Sequence, residues 1–152
     1  MKIYTKSGDA GMTSIIGGQR LAKSASRVRA YGSVDEINSW VGTIVAELDP
    51  DKFALLIEQL IQLQRLLFDI GTDFATPTEV KERIVTKKDL EKMEEMIDFY
   101  QEKLPVIDKF ILPSGHPVAG HFHLARTVTR RAEREITELI LEETETNQMS
   151  YK

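Results

Sequence analysis

The sequence predicts an all-α protein, an up-and-down helical bundle of four long amphipathic helices. Three observations carry that expectation. Apolar residues recur at three- and four-residue steps over four separate stretches, which places them on one face of a helix. Prolines 50, 77, 105, 113 and 117 punctuate the chain between those stretches, where they end helices rather than interrupt them. No internal repeat or low-complexity segment competes with this pattern. At 152 residues, 41% hydrophobic and 29% charged, the chain suits one soluble globular domain, residues 1–152, with room for a real core.

The chain opens on a short β-like piece, Lys2 to Thr5. The stretch Thr5 to Arg20, T-K-S-G-D-A-G-M-T-S-I-I-G-G-Q-R, then holds four of the nine glycines, at 8, 11, 17 and 18. Glycine lets a backbone turn through left-handed conformations and lets N–H groups approach a ligand. Hydroxyls (Thr5, Ser7, Thr13, Ser14), one acid (Asp9) and two bases (Lys6, Arg20) lie between. That mixture suits an oxyanion such as a polyphosphate; a glycine-rich surface turn is the alternative. The spacing is neither G-x-x-x-x-G-K-[ST] nor G-x-G-x-x-G. Arg20 to Tyr31 follows with Arg20, Lys23, Arg27 and Arg29 and no acid. It reads either as a solvated face or as an attractor of phosphates.

Ser33 is expected to start the first long helix, because S-V-D-E matches a capping box with Glu36 at the third position. Ile37, Trp40, Val41, Ile44, Val45 and Leu48 form its stripe, and Asp49-Pro50 ends it. Asp35 falls in the first turn of that expected helix, where the dipole favours a carboxylate. A second helix is expected from about Asp51 to Phe74, interrupted late by Gly71. Asp69 and Asp73 lie one helical step apart on it; such spacing is more often a solvated face than a metal pair. A loop from Ala75 to Val85 leads to a third helix capped by Thr86, with Leu90, Met93, Ile97, Tyr100 and Leu104 as its stripe.

Pro105 to Pro117 breaks the helical pattern but carries Phe110, Ile111 and Leu112 in a row. A connection this apolar is expected either against the core or lining an apolar pocket. The fourth helix is expected from about Val118 to beyond Leu141, with Arg126, Arg130, Glu133 and Thr137 sharing one face and Arg131 and Glu135 an adjoining strip. The tail E-E-T-E-T-N-Q-M-S-Y-K loses periodicity. His121 and His123 are two apart and do not face each other on a helix, which argues against a zinc site.

Cysteine is absent, so disulfides and thiolate metal sites are excluded. The net charge of −4 argues against a dedicated nucleic-acid binder using Arg126 to Arg134. The N-terminus has no apolar signal region and no run reaches the length of a membrane span, which makes the cytoplasm the default location.

Four blocks resemble one family. Y-T-K-S-G-D-A-G-M-T-S from Tyr4, Y-G-S-V-D-E-I-N-S from Tyr31, F-I-L-P-S-G from Phe110 and H-L-A-R-T-V-T-R-R-A-E-R from His123 occur in the order and spacing of PduO-type ATP:cob(I)alamin adenosyltransferases. The resemblance covers essentially the whole chain. It implies a five-helix bundle assembled as a homotrimer, with active sites between subunits. The implied reaction transfers the 5′-deoxyadenosyl group of ATP to the cobalt of cob(I)alamin, giving adenosylcobalamin and triphosphate, with Mg2+ accompanying ATP and a reductase supplying reduced corrinoid from cob(II)alamin. It implies an ATP-binding loop at 5–20, in which Thr5, Lys6, Gly8, Asp9, Gly11 and Thr13 wrap the triphosphate, with Lys23 adding a cation. Arg130 and Glu133 would hold ATP from the next subunit. Asp35 and Arg126 would form an intersubunit ion pair, and Phe110 would stand below the corrin ring. No residue is implied as a metal ligand. The family pattern continues with a Y-L-N-R-L-S-D-type helix where this sequence reads Ser150-Tyr151-Lys152, so the fifth helix would be missing here. His121 departs from the small residue commoner in the family and has no implied role. A non-catalytic nucleotide- or corrinoid-binding bundle, a sensor or carrier, is the alternative.

Overall fold

The computed structural model describes the backbone of residues 3–77, 80 and 82–150, and side chains as far as 144. Among these residues there are four helices and one two-stranded sheet: β1 (Met12–Ser14), β2 (Arg20–Ala22), α1 (Ser26–Glu47), α2 (Pro50–Ala75), α3 (Lys87–Gln101) and α4 (Pro117–Ser150). The mostly helical expectation holds. The sheet was not expected. β1 and β2 pair antiparallel with Met12 opposite Ala22 and Ser14 opposite Arg20. The turn between them needs the left-handed backbone of Gly17 (φ 94°) and Gly18 (φ 84°). The expected β-like piece is not a strand at Ile3 to Thr5, and Lys2 lies outside the described residues.

α1 is the central helix. Its residues Val34, Ile37, Val41 and Ile44 form the core with Leu60 and Leu67 of α2 and Ala125, Val128 and Ala132 of α4. Each such large side chain contributes about 1.5–3 kcal/mol when fully buried. α1 and α2 run antiparallel across a short connection. Asn38 Nδ2 donates to the Gln64 carbonyl (3.3 Å), and Gln64 Nε2 donates to the Asn38 carbonyl (3.2 Å). Gly42 permits this approach, because a Cβ there would lie 3.1 Å from Gln64 Nε2. Asp49 caps α2 by accepting from the Asp51 N–H at 3.0 Å, ahead of Pro50 in the first turn. The irregular residue in α2 is Phe53 (φ −122°, ψ 24°) and not Gly71, which continues the helix.

α1 starts seven residues before the expected Ser33. Ser33 is buried inside the helix and donates to Glu135 of α4, so S-V-D-E caps nothing and Asp35 is not in a first turn. α4 also outruns its apolar pattern, staying helical to Ser150. These two departures are one feature. Along the α1–α4 seam Glu36 pairs with Arg131, Arg29 with Glu138 (2.8 Å), Ser26 with Glu142 (2.5 Å) and Arg27 with Glu143. Numbers rise on α1 as they fall on α4, which is antiparallel packing. The start of α1 and the end of α4 are therefore joined by polar pairs, and apolar periodicity fades in both.

α3 begins as expected: Asp89 accepts from the Thr86 N–H (3.0 Å) and hydroxyl (2.7 Å). Its expected stripe is only partly used. Met93, Met96 and Tyr100 are half-buried, whereas Leu90, Ile97 and Leu104 are exposed. Tyr100 donates to Gln59 of α2. Asp73 is buried and accepts from the Ile84 N–H (2.8 Å) and the Val85 N–H (3.0 Å), fixing the approach to α3. It is a backbone anchor rather than half of a metal pair with Asp69.

Candidate active site

The N-terminal loop is shaped by its glycines and by one arginine. Gly11 has φ 77° and Lys6 has φ 59°, so the backbone turns twice through the left-handed region. The Lys23 N–H donates to the Gly11 carbonyl at 2.8 Å, and Arg20 Nη2 donates to the Ser7 carbonyl at 2.9 Å. Together they fold residues 5–11 back over the hairpin. The hairpin is anchored by buried Ile15 and by the Ile16 N–H, which donates to the Ala75 carbonyl at 3.1 Å.

The basic run divides into used and unused charge. Arg27 is buried and donates to the Phe74 carbonyl (2.6 Å), the Thr76 carbonyl (3.4 Å) and Glu143. Arg29 pairs with Glu138. Both are structural, and neither is an attractor of phosphate. Lys23 is exposed and its ammonium has no hydrogen bond or ion pair among the described residues. Its chain lies across Gly8, where a Cβ would sit 3.1 Å from both Cε and Nζ. Thr5, Lys6, Asp9 and Gly11 are exposed around it, with Gly8 and Thr13 half-buried. Six of the seven expected loop residues therefore lie on β1 or the segment before it that folds back over the hairpin, and the seventh, Lys23, supplies the free cation beside them.

The remaining expected residues are on other elements. Arg130 and Glu133 face each other on α4 at 3.8 Å, both largely exposed. No hydrogen bond or ion pair joins them to residues 5–23 among the described residues. Asp35 and Arg126 are both exposed, and neither side chain has an ion-pair partner there. Phe110 stands fully in solvent, and Ile111 and Leu112 are exposed beside it. The expectation that this connection is tucked against the core is wrong for the isolated chain: residues 101–117 are exposed throughout.

Sequence reasoning missed a cleft of about 310 Å³ beside Asp35, walled by Tyr31, Val34, Leu67, Phe68 and Ala75. Asn38 also lines it, and its buried Oδ1 has no hydrogen-bond partner. Tyr31, Asp35 and Asn38 are spaced by four and three, a helical face that the misplaced start of α1 cut in two. Among the described residues no three His, Asp or Glu side chains converge on a possible metal site.

These features define a helical protein that presents a glycine-turned, lysine-bearing loop at one edge and an apolar strap at another. Comparison with known proteins narrows the class. A family model described as cobalamin adenosyltransferase matches residues 3–152, and the chain belongs to that family. The corrinoid adenosyltransferase of Bacillus subtilis is 44% identical over 144 residues, covering 94% of this chain and 74% of the relative. The PduO corrinoid adenosyltransferase of Citrobacter freundii is 37% identical over 145 residues, covering 93% of this chain and 42% of the relative. A solved phenylalanine-to-alanine variant of the PduO-type ATP:corrinoid adenosyltransferase from Lactobacillus reuteri, complexed with cobalamin and ATP, superposes with a TM-score of 0.87 at 46% identity, covering 93% of this chain and 79% of that one. An arginine-to-lysine variant from the same organism, complexed with ATP, gives 0.85 at 45% identity, over 92% and 79%.

Proposed function

We propose that this chain is an ATP:corrinoid adenosyltransferase. It transfers the 5′-deoxyadenosyl group of ATP to cob(I)alamin, giving adenosylcobalamin and triphosphate. The observation that carries the reading is the uncommitted Lys23 ammonium on a glycine-turned loop, in a chain of this family. The cobalt(I) electron pair attacks C5′ of ATP, the C5′–O bond breaks, and triphosphate leaves with the bonding pair. The corrinoid is itself the nucleophile, so the protein has only to orient C5′ and stabilise the leaving charge.

The loop residues Thr5, Lys6, Gly8, Asp9, Gly11 and Thr13, with Lys23, hold the triphosphate. Arg130 and Glu133 reach ATP from the neighbouring subunit of a homotrimer. Asp35 and Arg126 pair across that boundary; their lack of ion-pair partners among the described residues supports this. Phe110 stands below the corrin ring, and its full exposure in the single chain fits a residue that waits for a neighbour or a substrate to cover it. Mg2+ arrives with ATP, since it binds readily through phosphate oxygens and water. Among the described residues no helix is long and apolar enough to cross a membrane; the cytoplasm, with a reductase that delivers cob(I)alamin from cob(II)alamin, is the setting we assign.

The test is spectral. Protein, Mg-ATP and chemically reduced cobalamin are mixed anaerobically, and the adenosylcobalamin spectrum should grow in with stoichiometric triphosphate. Binding of both substrates with no spectral change would overturn the enzyme reading in favour of a corrinoid carrier or sensor.

A further inference from the structure

His121 is the residue that the family pattern leaves unexplained. It lies in the second turn of α4, four residues after Pro117. Its Nδ1 is 3.0 Å from Glu47 Oε2, at the last residue of α1. Its ring lies 5.7 Å from the ring of Trp40, one face of α1 away. The imidazole is about three-quarters buried, with 26% of its side chain exposed. Position 121 thus bolts the beginning of α4 to the end of α1, by a hydrogen bond on one side and ring packing on the other.

That end of α4 is also the root of the apolar strap. Residues 105–117 are exposed, and among the described residues no hydrogen bond ties Pro105 to Leu112 to the bundle. The strap is therefore placed by its two ends. The α3 end is loosely packed, as its exposed Ile97 and Leu104 show. The α4 end is ordered locally: Gly115 turns at φ 110°, and the Val118 N–H donates to His116 Nδ1 at 3.3 Å. That local cap follows α4 wherever α4 goes. Contacts between α4 and the rest of the bundle fix the strap relative to the core: Val118 packs against the core beside the strap's root, and His121 adds the directed contact to α1 that sets the angle of this end of α4.

We infer that the Trp40–His121–Glu47 clasp is a positioning device for the apolar strap, and that His121 acts on corrinoid handling through the placement of Phe110 without touching substrate. The inference rests on the reading of Phe110 given above. A purely stabilising contact would lower the stability of the whole bundle and affect both substrates alike. A positioning contact divides them: the ATP loop is at the other end of α1, so corrinoid parameters move and ATP parameters do not.

The experiment uses the full chain with ATP and cobalamin varied in turn. His121→Ala and Glu47→Ala should each lower kcat/KM for the corrinoid by about tenfold, within the range expected when a distant change misplaces a reacting group. The KM for ATP should stay within about twofold. The double variant should be no worse than the poorer single, since both remove one contact. Glu47→Gln, which keeps a hydrogen-bond acceptor for the ring, should retain most of the activity. Trp40 is the only tryptophan, so its emission reports the clasp directly and should shift to longer wavelength in both alanine variants. Additive losses, or equal changes for ATP and corrinoid, overturn positioning; unchanged Trp40 emission overturns the clasp itself. Should the wild type form no adenosylcobalamin, the proposed reaction fails separately. The clasp is then judged on Trp40 emission and on cob(II)alamin affinity by equilibrium dialysis, where unaltered affinity in His121→Ala overturns it.

Discussion

The seam that joins the start of α1 to the end of α4 and the exposed rim of the molecule, where Asp35 of α1, Arg126 of α4 and Lys23 beside β2 stand apart, use the same residue types to opposite ends. In the seam, every arginine of α1 has found an acceptor: Arg27 binds two carbonyls and Glu143, and Arg29 binds Glu138. On the rim, Asp35, Arg126 and Lys23 have no such partner among the described residues. Charge satisfied within the chain is structure, because it is unavailable to anything else. Charge left unsatisfied on a helix or hairpin remains available to solvent, a ligand or a neighbour. Composition cannot make this distinction; geometry can.

Arg27→Ala probes the seam and should have the largest effect. It strands Glu143 and leaves the Phe74 and Thr76 carbonyls without their donor. The cost should be about 3 kcal/mol, at the low end for a broken buried pair because Glu143 is 38% exposed. Urea unfolding of the full chain measures it. A change under about 0.5 kcal/mol, typical of an ordinary surface substitution, would break the contrast between seam and rim.

Arg126→Ala is the matching probe of the rim. It has no ion-pair partner to lose among the described residues, so the folded subunit should be nearly as stable as wild type. If Asp35 faces it across a subunit boundary, its loss leaves a carboxylate unpaired in the assembly, at a cost of about 3 kcal/mol where that pair is buried. Activity, corrinoid binding or assembly should fall accordingly. Kinetics equal to wild type with an intact oligomer would remove the proposed pair.

This division explains what the sequence made legible. The apolar middle of the bundle could be read from periodicity, because Val34, Ile37, Val41 and Ile44 meet apolar partners. The first turns of α1 and the last turns of α4 could not, because Ser26, Arg27 and Arg29 meet Glu142, Glu143 and Glu138 instead. Ser33-Val-Asp-Glu satisfied a local capping rule, yet Ser33 had a better use as a donor to Glu135. Thr86 was realised as a cap, with Asp89 accepting from its N–H and hydroxyl, since among the described residues no other element competes for Asp89. Phe110 was legible as an unusual apolar residue in a break. Its solvent exposure was not, because an amphipathic pattern does not say whether the apolar face meets its own chain or another surface.

Phe110→Ala sharpens the contrast from the apolar side of the rim. The exposed ring contributes nothing to folding of the single chain, so its removal should leave stability unchanged. Turnover should fall by about tenfold when cob(II)alamin must be reduced on the protein, in line with the sensitivity of catalysis to positioning. The loss should be smaller when cob(I)alamin is supplied chemically, because excluding water and a lower ligand matters most while cobalt is being reduced. Equal losses in the two assays would assign Phe110 to general corrinoid binding.

The smallest effect concerns α3, the helix least held by the rest of the fold. The Thr86 hydroxyl, then the Thr86 N–H, hold the Asp89 carboxyl below its usual range, with Lys92 and Lys88 adding to the effect. A depressed folded value means that the carboxylate stabilises the helix start above the unfolded value, near 3.8. That contribution is lost as pH falls through the folded value. The group is solvent-exposed, so the loss should be confined to fraying of the first turn. Backbone chemical shifts of Lys88 to Leu90 should move toward coil values on acidification below that range, and Asp89→Asn should abolish the acid dependence, since its amide does not titrate. An identical acid response in the variant would mean that α3 is held by contacts other than its cap. That result would move α3 from the loosely held side of the molecule to the side of the seam.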